Sequence, residues 1–196
     1  TLMALLKDLR RAEAKKKNVP PYVIFQDPSL EDMATAYPIT MEEMSKVSGV
    51  SGGKAQKYAK PFLDLIKKYV EENDIDRPQD FVIKQVANQS KTKVAIIKGI
   101  DKKMPLEELA RQNQMNYHAL MEELNSIVMS GMRLNLDYCI DDVIDEGVQD
   151  DIYAFFMKAQ DDDIDSAFKK LKEDDDALTY EEVQLIRLKF LSEMAN

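Results

Sequence analysis

Two adjacent prolines, Pro20 and Pro21, govern how the first part of this chain can be laid out. Each lacks an N–H, each holds φ near the helical value, and each pushes the residue before it out of the α region. A helix arriving from the N-terminal side must stop there. The chain is then expected to run on extended, carrying Tyr22, Val23, Ile24 and Phe25. Val23, Ile24 and Phe25 need cover, whereas the Tyr22 phenol can stay in water. The arriving helix is amphipathic, with Leu2, Leu5, Leu6 and Leu9 at helical spacing. Arg10, Arg11, Lys15, Lys16 and Lys17 follow, with the lysines in the last turns, where the helix dipole favours cations. A stiff aromatic connector beside such a cluster fits plain structure and a binding surface equally well.

Beyond Phe25 the chain reads as a run of short helices. Ser29 and Asp32 have capping-box spacing, Leu30, Met33, Ala34 and Tyr37 form a stripe, and Pro38 ends it. Thr40 with Glu43 caps the next helix, which turns Met41, Met44 and Val47 inward. The glycine-rich turn Ser48-Gly49-Val50-Ser51-Gly52-Gly53 precedes a basic helix in which Lys54, Lys57 and Lys60 interleave with Ala55, Tyr58 and Ala59. Pro61 fits the first position of a final helix, with Phe62, Leu65, Ile66, Tyr69 and Val70 inside. That makes five helices and no strand. The polar stretch from Glu71 to Pro78 breaks every period, so the expected division is a domain at 1–73, a linker at 74–77 and a second domain at 78–196.

In the second domain, Phe81, Val82 and Val86, and then Val94, Ile97 and Ile100, mark two helices. Leu109, Ala110, Met115, Leu120 and Leu124 have the spacing of a helix-turn-helix. The turn position that usually holds glycine is Gln114, and the candidate recognition helix carries Glu122 and Glu123. Arg133–Leu136 suits a short extended piece. Ile152, Phe155 and Phe156 make one further stripe, and Ile164, Phe168 and Leu171 another. Thr179 with Glu182 opens a last helix that buries Val183, Ile186, Phe190 and Leu191.

The net charge of −9 opposes nucleic-acid binding only if it is spread evenly. It is not: residues 1–73 hold 12 basic against 10 acidic side chains, residues 77–133 hold 9 against 6, and residues 134–196 hold 6 against 18. The acidity belongs to the last third, which leaves room for a basic face elsewhere. No apolar run suits a membrane span or a signal peptide. The single cysteine, Cys139, excludes an internal disulfide and agrees with a reducing compartment. Because the first residue is Thr1, the chain is expected to be a piece of a longer protein.

Catalytic and metal chemistry find little to build on. Asp161, Asp163 and Asp165 imitate the start of a calcium loop, but Ser166 and Lys172 stand where such a loop needs Gly and Glu. One histidine and one cysteine cannot make a zinc site. His118 has no triad pattern around it, and the acids near Cys139 should keep its thiol protonated. Gly49–Gly53 lacks Walker spacing and follows no strand. It reads better as the glycine turn of a helix-hairpin-helix, whose backbone N–H groups meet a phosphate, or as a turn that merely needs positive φ. No catalytic residue, metal, cofactor or small-molecule substrate is expected of this chain.

Residues 7–70 resemble the HRDC domain (helicase and ribonuclease D C-terminal) of bacterial RecQ helicases. The resemblance lies in Leu9-Arg10, Asn18-Val19-Pro20-Pro21-Tyr22-Val23-Ile24-Phe25, Pro38-Ile39-Thr40, Val47-Ser48-Gly49-Val50, Gly53-Lys54 and Tyr58-Ala59-Lys60-Pro61-Phe62. Residues 78–196 look like the helix-turn-helix domain that follows HRDC in some RecQ proteins, carried by Leu106-Glu107-Glu108-Leu109-Ala110, Leu120, Leu124 and Leu178-Thr179-Tyr180-Glu181-Glu182-Val183. The resemblance implies an all-α, five-helix bundle of helix-hairpin-helix type, then a helical domain with a helix-turn-helix. It implies an accessory region that binds DNA, mainly single-stranded and without sequence preference, beside the ATP-driven motor of the same cytoplasmic, nucleoid-associated polypeptide. The implied DNA face comprises Tyr22, Lys16, Lys17, Gly49, Gly53, Lys54, Lys57 and Lys60, with Tyr22 stacking on a base. Two other readings remain open: a protein-interaction module with no DNA binding of its own, and an RNA-processing accessory domain of a ribonuclease D type enzyme.

Overall fold

Helical spacing predicts an all-α protein, and the computed structural model, which describes residues 1–77 and 91–196, is built that way. Among the described residues there are twelve α-helices and no strand. The helix predicted around Phe81, Val82 and Val86, and the Pro78 end of the polar stretch, lie outside them. The chain divides into two compact units, Thr1–Ala87 with Ala195–Asn196, and Asn88–Met194.

The first unit holds α1 (Leu2–Lys17), α2 (Pro21–Ile24), α3 (Asp27–Ala36), α4 (Met41–Ser45) and α5 (Gly52–Glu72). The number of helices is the expected five, but two of them differ from the prediction. Pro20 and Pro21 do end α1, whose C-cap Asn18 turns left-handed at φ 55°. The segment expected to be extended is instead the short α2, because Pro21 stands at a first helical position, where its fixed φ suits a helix and its missing N–H costs nothing. Pro61, read as the start of a new helix, lies inside the continuous α5. It cannot donate to the Lys57 carbonyl, yet the strongly amphipathic helix runs through it because Phe62, Leu63 and Ile66 are buried just beyond.

α1 packs against α2, α3 and α5, and α4 packs against α5. Leu6, Ile24, Phe25, Leu30, Met33, Met44, Phe62 and Ile66 are fully buried between them. The cap predicted at Ser29 is also corrected. α3 begins earlier, after Gln26, with Pro28 in its first turn. Ser29 and Asp32 serve a distant turn instead: Ser29 Oγ donates to Ser48 O at 2.6 Å, and Ser48 N–H donates to Asp32 Oδ2 at 3.1 Å.

Thr40 caps α4 as predicted, accepting from Glu43 N–H at 3.2 Å. The Glu43 carboxylate reaches back to Ile39 N–H at 2.8 Å and also takes Arg77 Nη1 at 2.7 Å. Arg77 Nη1 donates to Tyr37 O as well, so this arginine ties the α3–α4 corner together. Burial raises the Glu43 pKa, but the Arg77 guanidinium and the Ile39 amide outweigh it, leaving the net below the ordinary 4.5. A carboxyl depressed in the folded state stabilises fully above its unfolded pKa and loses that contribution as pH falls through the folded one. First-unit stability should therefore fall more steeply below about pH 4.5 in the wild type than in Glu43→Gln. Urea midpoints between roughly pH 7 and pH 3 check this, and parallel curves would contradict it.

The second unit continues with α6 (Lys91–Asp101), α7 (Leu106–Gln112), α8 (Tyr117–Met129), α9 (Asp137–Ile140), α10 (Glu146–Lys158), α11 (Ile164–Lys172) and α12 (Tyr180–Ala195). α12 opens on the predicted capping box: Glu182 N–H donates to Thr179 Oγ1 at 3.3 Å and Thr179 N–H donates to Glu182 Oε1 at 3.2 Å. Val183, Leu185, Ile186, Leu188, Phe190 and Leu191 are all buried along it, more of its circumference than one stripe predicts. Such a helix forms the centre of a core rather than a face of it. The stretch Arg133–Leu136, expected to be extended, is non-helical backbone whose last residue, Leu136, lies outside the extended region at φ −97° and ψ 3°. Leu134 is held by Ser192 of α12, whose hydroxyl accepts from Leu134 N–H at 2.8 Å and donates to Leu134 O at 3.2 Å.

Candidate nucleic-acid interface

Three lysines of the first unit, Lys17, Lys54 and Lys57, gather over a short column of aromatic rings. In α5, Tyr58 and Phe62 are one turn apart and face inward, where Phe25 meets both edge-on at centroid distances of 6.5 Å and 4.9 Å. The ammonium of Lys57 lies 5.3 Å from the centre of the Tyr58 ring, and that of Lys17, from the end of α1, lies 5.7 Å from the same ring. Two cations distant in sequence are thus brought within about 11 Å of each other. Lys54 Nζ stands 5.8 Å from the centre of the Phe25 ring. Cation–π attraction of about 0.5–2 kcal/mol per pair holds such ammoniums near the rings while water still reaches the exposed ones.

Lys16, Lys17, Lys57 and Lys60 are exposed, the last two on one face of α5 three residues apart. Lys54 is not: it is 8% exposed, its stem packed into the core beside Phe25. Its charge adds to the potential of the face without presenting an open ammonium. Arg10 is likewise occupied, donating to Phe25 O and to the Asp27 carboxylate at 2.8 Å each, which fixes the chain where it leaves α2.

The expectation that Tyr22 stays wet is corrected. It is 7% exposed, because α2 rolls its ring inward together with Val23 and Ile24. A ring so covered offers no open face for a base to stack on. Tyr58, which the sequence places among the lysines of this helix but which was not among the expected site residues, is the aromatic beneath the cations. The available signal was its position one residue after Lys57 and four after Lys54, in line with a lysine-rich helix end.

The two glycines have different tasks. Gly49 has φ +73° in the turn closed by Val50 N–H to Val47 O, the third position of a four-residue turn that needs positive φ. A Cβ there would also stand 2.9 Å from Ser29 Oγ. Gly53 lies in the exposed first turn of α5, where an added Cβ would meet nothing within 4 Å. Ser51 caps this helix by accepting from Lys54 N–H at 3.1 Å. An open N-terminal turn next to Lys57 and Lys60 is suited to a phosphate.

In the second unit, α7 and α8 form the helix-turn-helix, and the glycine position of its turn is Gln114 in the left-handed region at φ 55°. Gly99 of α6 lets Leu109 of α7 approach so closely that a Cβ would collide with the leucine side chain. The outer face of α8 is not basic. His118 Nε2 lies 3.2 Å from Glu122, and Arg187 binds Asn125 Oδ1 while also holding the Asp162 carboxylate at 2.6 Å and its carbonyl at 2.7 Å. The acidic run beside it is used locally, with Asp163 capping α11 through Ser166 N–H. Burial pushes the Cys139 thiol up to about 11, and Glu107, Asp137 and Asp141 add to the effect. Among the described residues no three His, Cys, Asp or Glu side chains gather as a metal site, and no helix is long and apolar enough to cross a membrane.

Comparison with known proteins matches residues 1–66 to the HRDC domain and residues 90–140 to the RecQ-1-like helix-turn-helix domain. The ATP-dependent DNA helicases RecQ of Pasteurella multocida and Haemophilus influenzae are each 38% identical over 68 residues, 35% of this chain and 11% of theirs. The mouse bifunctional 3'-5' exonuclease/ATP-dependent helicase WRN is 28% identical over 150 residues, 69% of this chain and 11% of its own. The chain thus spans about a tenth of the length of these relatives. The chain thus carries an HRDC domain and, after it, a RecQ-1-like helix-turn-helix domain.

Proposed function

We propose that this chain is the nucleic-acid-binding accessory region of a RecQ-type DNA helicase, with its first domain at 1–73 gripping DNA, single strands by preference, for a motor elsewhere in the same cytoplasmic polypeptide. The observation that carries this reading is the convergence of Lys17 and Lys57, from separate helices, over one tyrosine ring. Lys16 and Lys60 add exposed charge on the same two helices, and the open turn at Gly53 supplies backbone N–H groups. Phosphate attraction does the work, and the rings of Phe25 and Tyr58 position the ammoniums rather than stack on bases. The linker at 74–77 separates this domain from the second, at 78–196.

About two to four phosphate contacts give affinity in the micromolar range or weaker and a salt slope on the order of −1.5 to −3 for a single strand. The test is titration of a labelled oligothymidine across a salt series with wild type and Lys17→Ala/Lys57→Ala. Loss of two contacts should flatten the slope by about 1.4 and weaken binding at low salt several-fold. An unchanged slope and affinity would remove the assignment. Running the same series with duplex DNA and with oligouridine separates a single-strand DNA preference from an RNA one.

A second reading is favoured by the outer face of α8. Its Glu122, its occupied Asn125 and the adjacent Asp161–Asp165 run oppose a phosphate backbone. The second domain therefore acts as a protein-interaction module and not as a reader of DNA.

A further inference from the structure

We propose that the groove between α10 and α11 docks a basic amphipathic helix of a partner protein. This rests on the second-domain reading above only in sharing its acidic surface, and it concerns a different face.

The groove measures about 780 Å³. Its floor is apolar and buried: Ile152, Ala167 and Leu178 are 1%, 1% and 5% exposed. Val148, Phe155 and Leu171 line its sides and remain partly open to water. The groove residues on α10 run from Val148 to Lys158, which at 1.5 Å per residue gives about 15 Å, just under three turns of a helix laid alongside. An apolar trough of that length receives side chains spaced i, i+3, i+4 and i+7.

The rim identifies the occupant. Five carboxylates line the groove (Asp151, Asp161, Asp163, Asp174 and Asp175) against two ammoniums, Lys158 and Lys170. Asp163 caps α11 and Asp175 accepts from Ala177 N–H, but Asp151 and Asp174 make no ion pair among the described residues. Nucleic acid meets repulsion here and has no use for the apolar floor. An acidic helix meets the same repulsion. A helix with leucine-like residues on one face and Lys or Arg flanking them satisfies floor and rim together. The groove is built from residues beyond both family matches, which end at residues 66 and 140.

The test uses the full chain with methyl labels and a synthetic helical peptide of leucine and lysine, its leucines at i, i+3, i+4 and i+7. A permuted peptide of identical composition, with leucines all round, is the control. Saturating shifts at the Ile152, Leu171 and Leu178 methyls are expected, with the permuted peptide about tenfold weaker. Asp151→Lys/Asp174→Lys, at exposed positions, should also weaken binding about tenfold, and Asp151→Asn/Asp174→Asn by less. If the reversed variant fails to fold, the neutral pair decides alone. The proposal is overturned if the shifts map elsewhere, if the permuted peptide binds equally, or if neither pair of substitutions weakens binding. Oligothymidine perturbing the same methyls would overturn it too, whereas oligothymidine acting only on the first unit is compatible with it. Loss of the Lys17 and Lys57 effects would count against the first domain's reading and leave this one standing.

Discussion

Phe25→Ala should destabilise the first unit by about 3–5 kcal/mol, the range for removing a fully buried aromatic side chain. Phe25 has no solvent exposure, packs edge-on against Phe62 and Tyr58, and lies beneath Lys54. Truncation empties the middle of the column on which the cations rest. A domain has only about 5–15 kcal/mol in total, so much of its stability would go. Phe25→Leu keeps most of the volume and should cost about 1–2 kcal/mol. The chain has no tryptophan, so the measurement is amide exchange or residue-resolved urea unfolding by NMR. The amides of α1–α5 should open earlier while those of α10–α12 keep their protection. A loss under about 1 kcal/mol would mean that the column does not organise this unit.

Arg187→Ala should cost the second unit about 2–4 kcal/mol, somewhat under the full cost of breaking a buried pair. The side chains of Arg187 and Asp162 are only 11% and 19% exposed. Without the guanidinium, the Asp162 carboxylate stays in poorly solvated surroundings, and Asn125 Oδ1 and the Asp162 carbonyl each lose a donor. Arg187→Lys restores the charge but not the fork of donors, so it should recover only part of the loss. Asp162→Asn should be milder than Arg187→Ala, because it leaves no anion stranded. Thermal or urea unfolding ranks the three variants; Arg187→Ala within about 0.5 kcal/mol of wild type would reduce the clamp to a surface ion pair.

Features governed by neighbours in sequence were legible before any coordinates. The boxes at Thr40–Glu43 and Thr179–Glu182 and the turn at Gly49 rest on contacts three or four residues apart. Ser29 and Asp32 show where this fails: the same residue types at the same spacing were taken by a turn some sixteen to nineteen residues away. Proline is ambiguous for a similar reason. Pro21 and Pro61 each mark an interruption, and only packing decides that one starts a helix and the other is carried inside one. At the candidate interface the lysines were visible as a set, because charge is a property of composition. Which aromatic lay under them was not, since Tyr22 and Tyr58 differ only in how their helices roll onto the core.

The pairing of Leu134 with Ser192 bears on how the second unit joins two of its helices through buried backbone. Backbone N–H and C=O groups buried outside a helix cost stability unless something hydrogen-bonds them. Here one hydroxyl, 1% exposed, engages both groups of the same residue. A single serine on one helix thus does for Leu134 what a further turn of helix would have done, and the chain passes between α8 and α9 without leaving that buried N–H and C=O unmet.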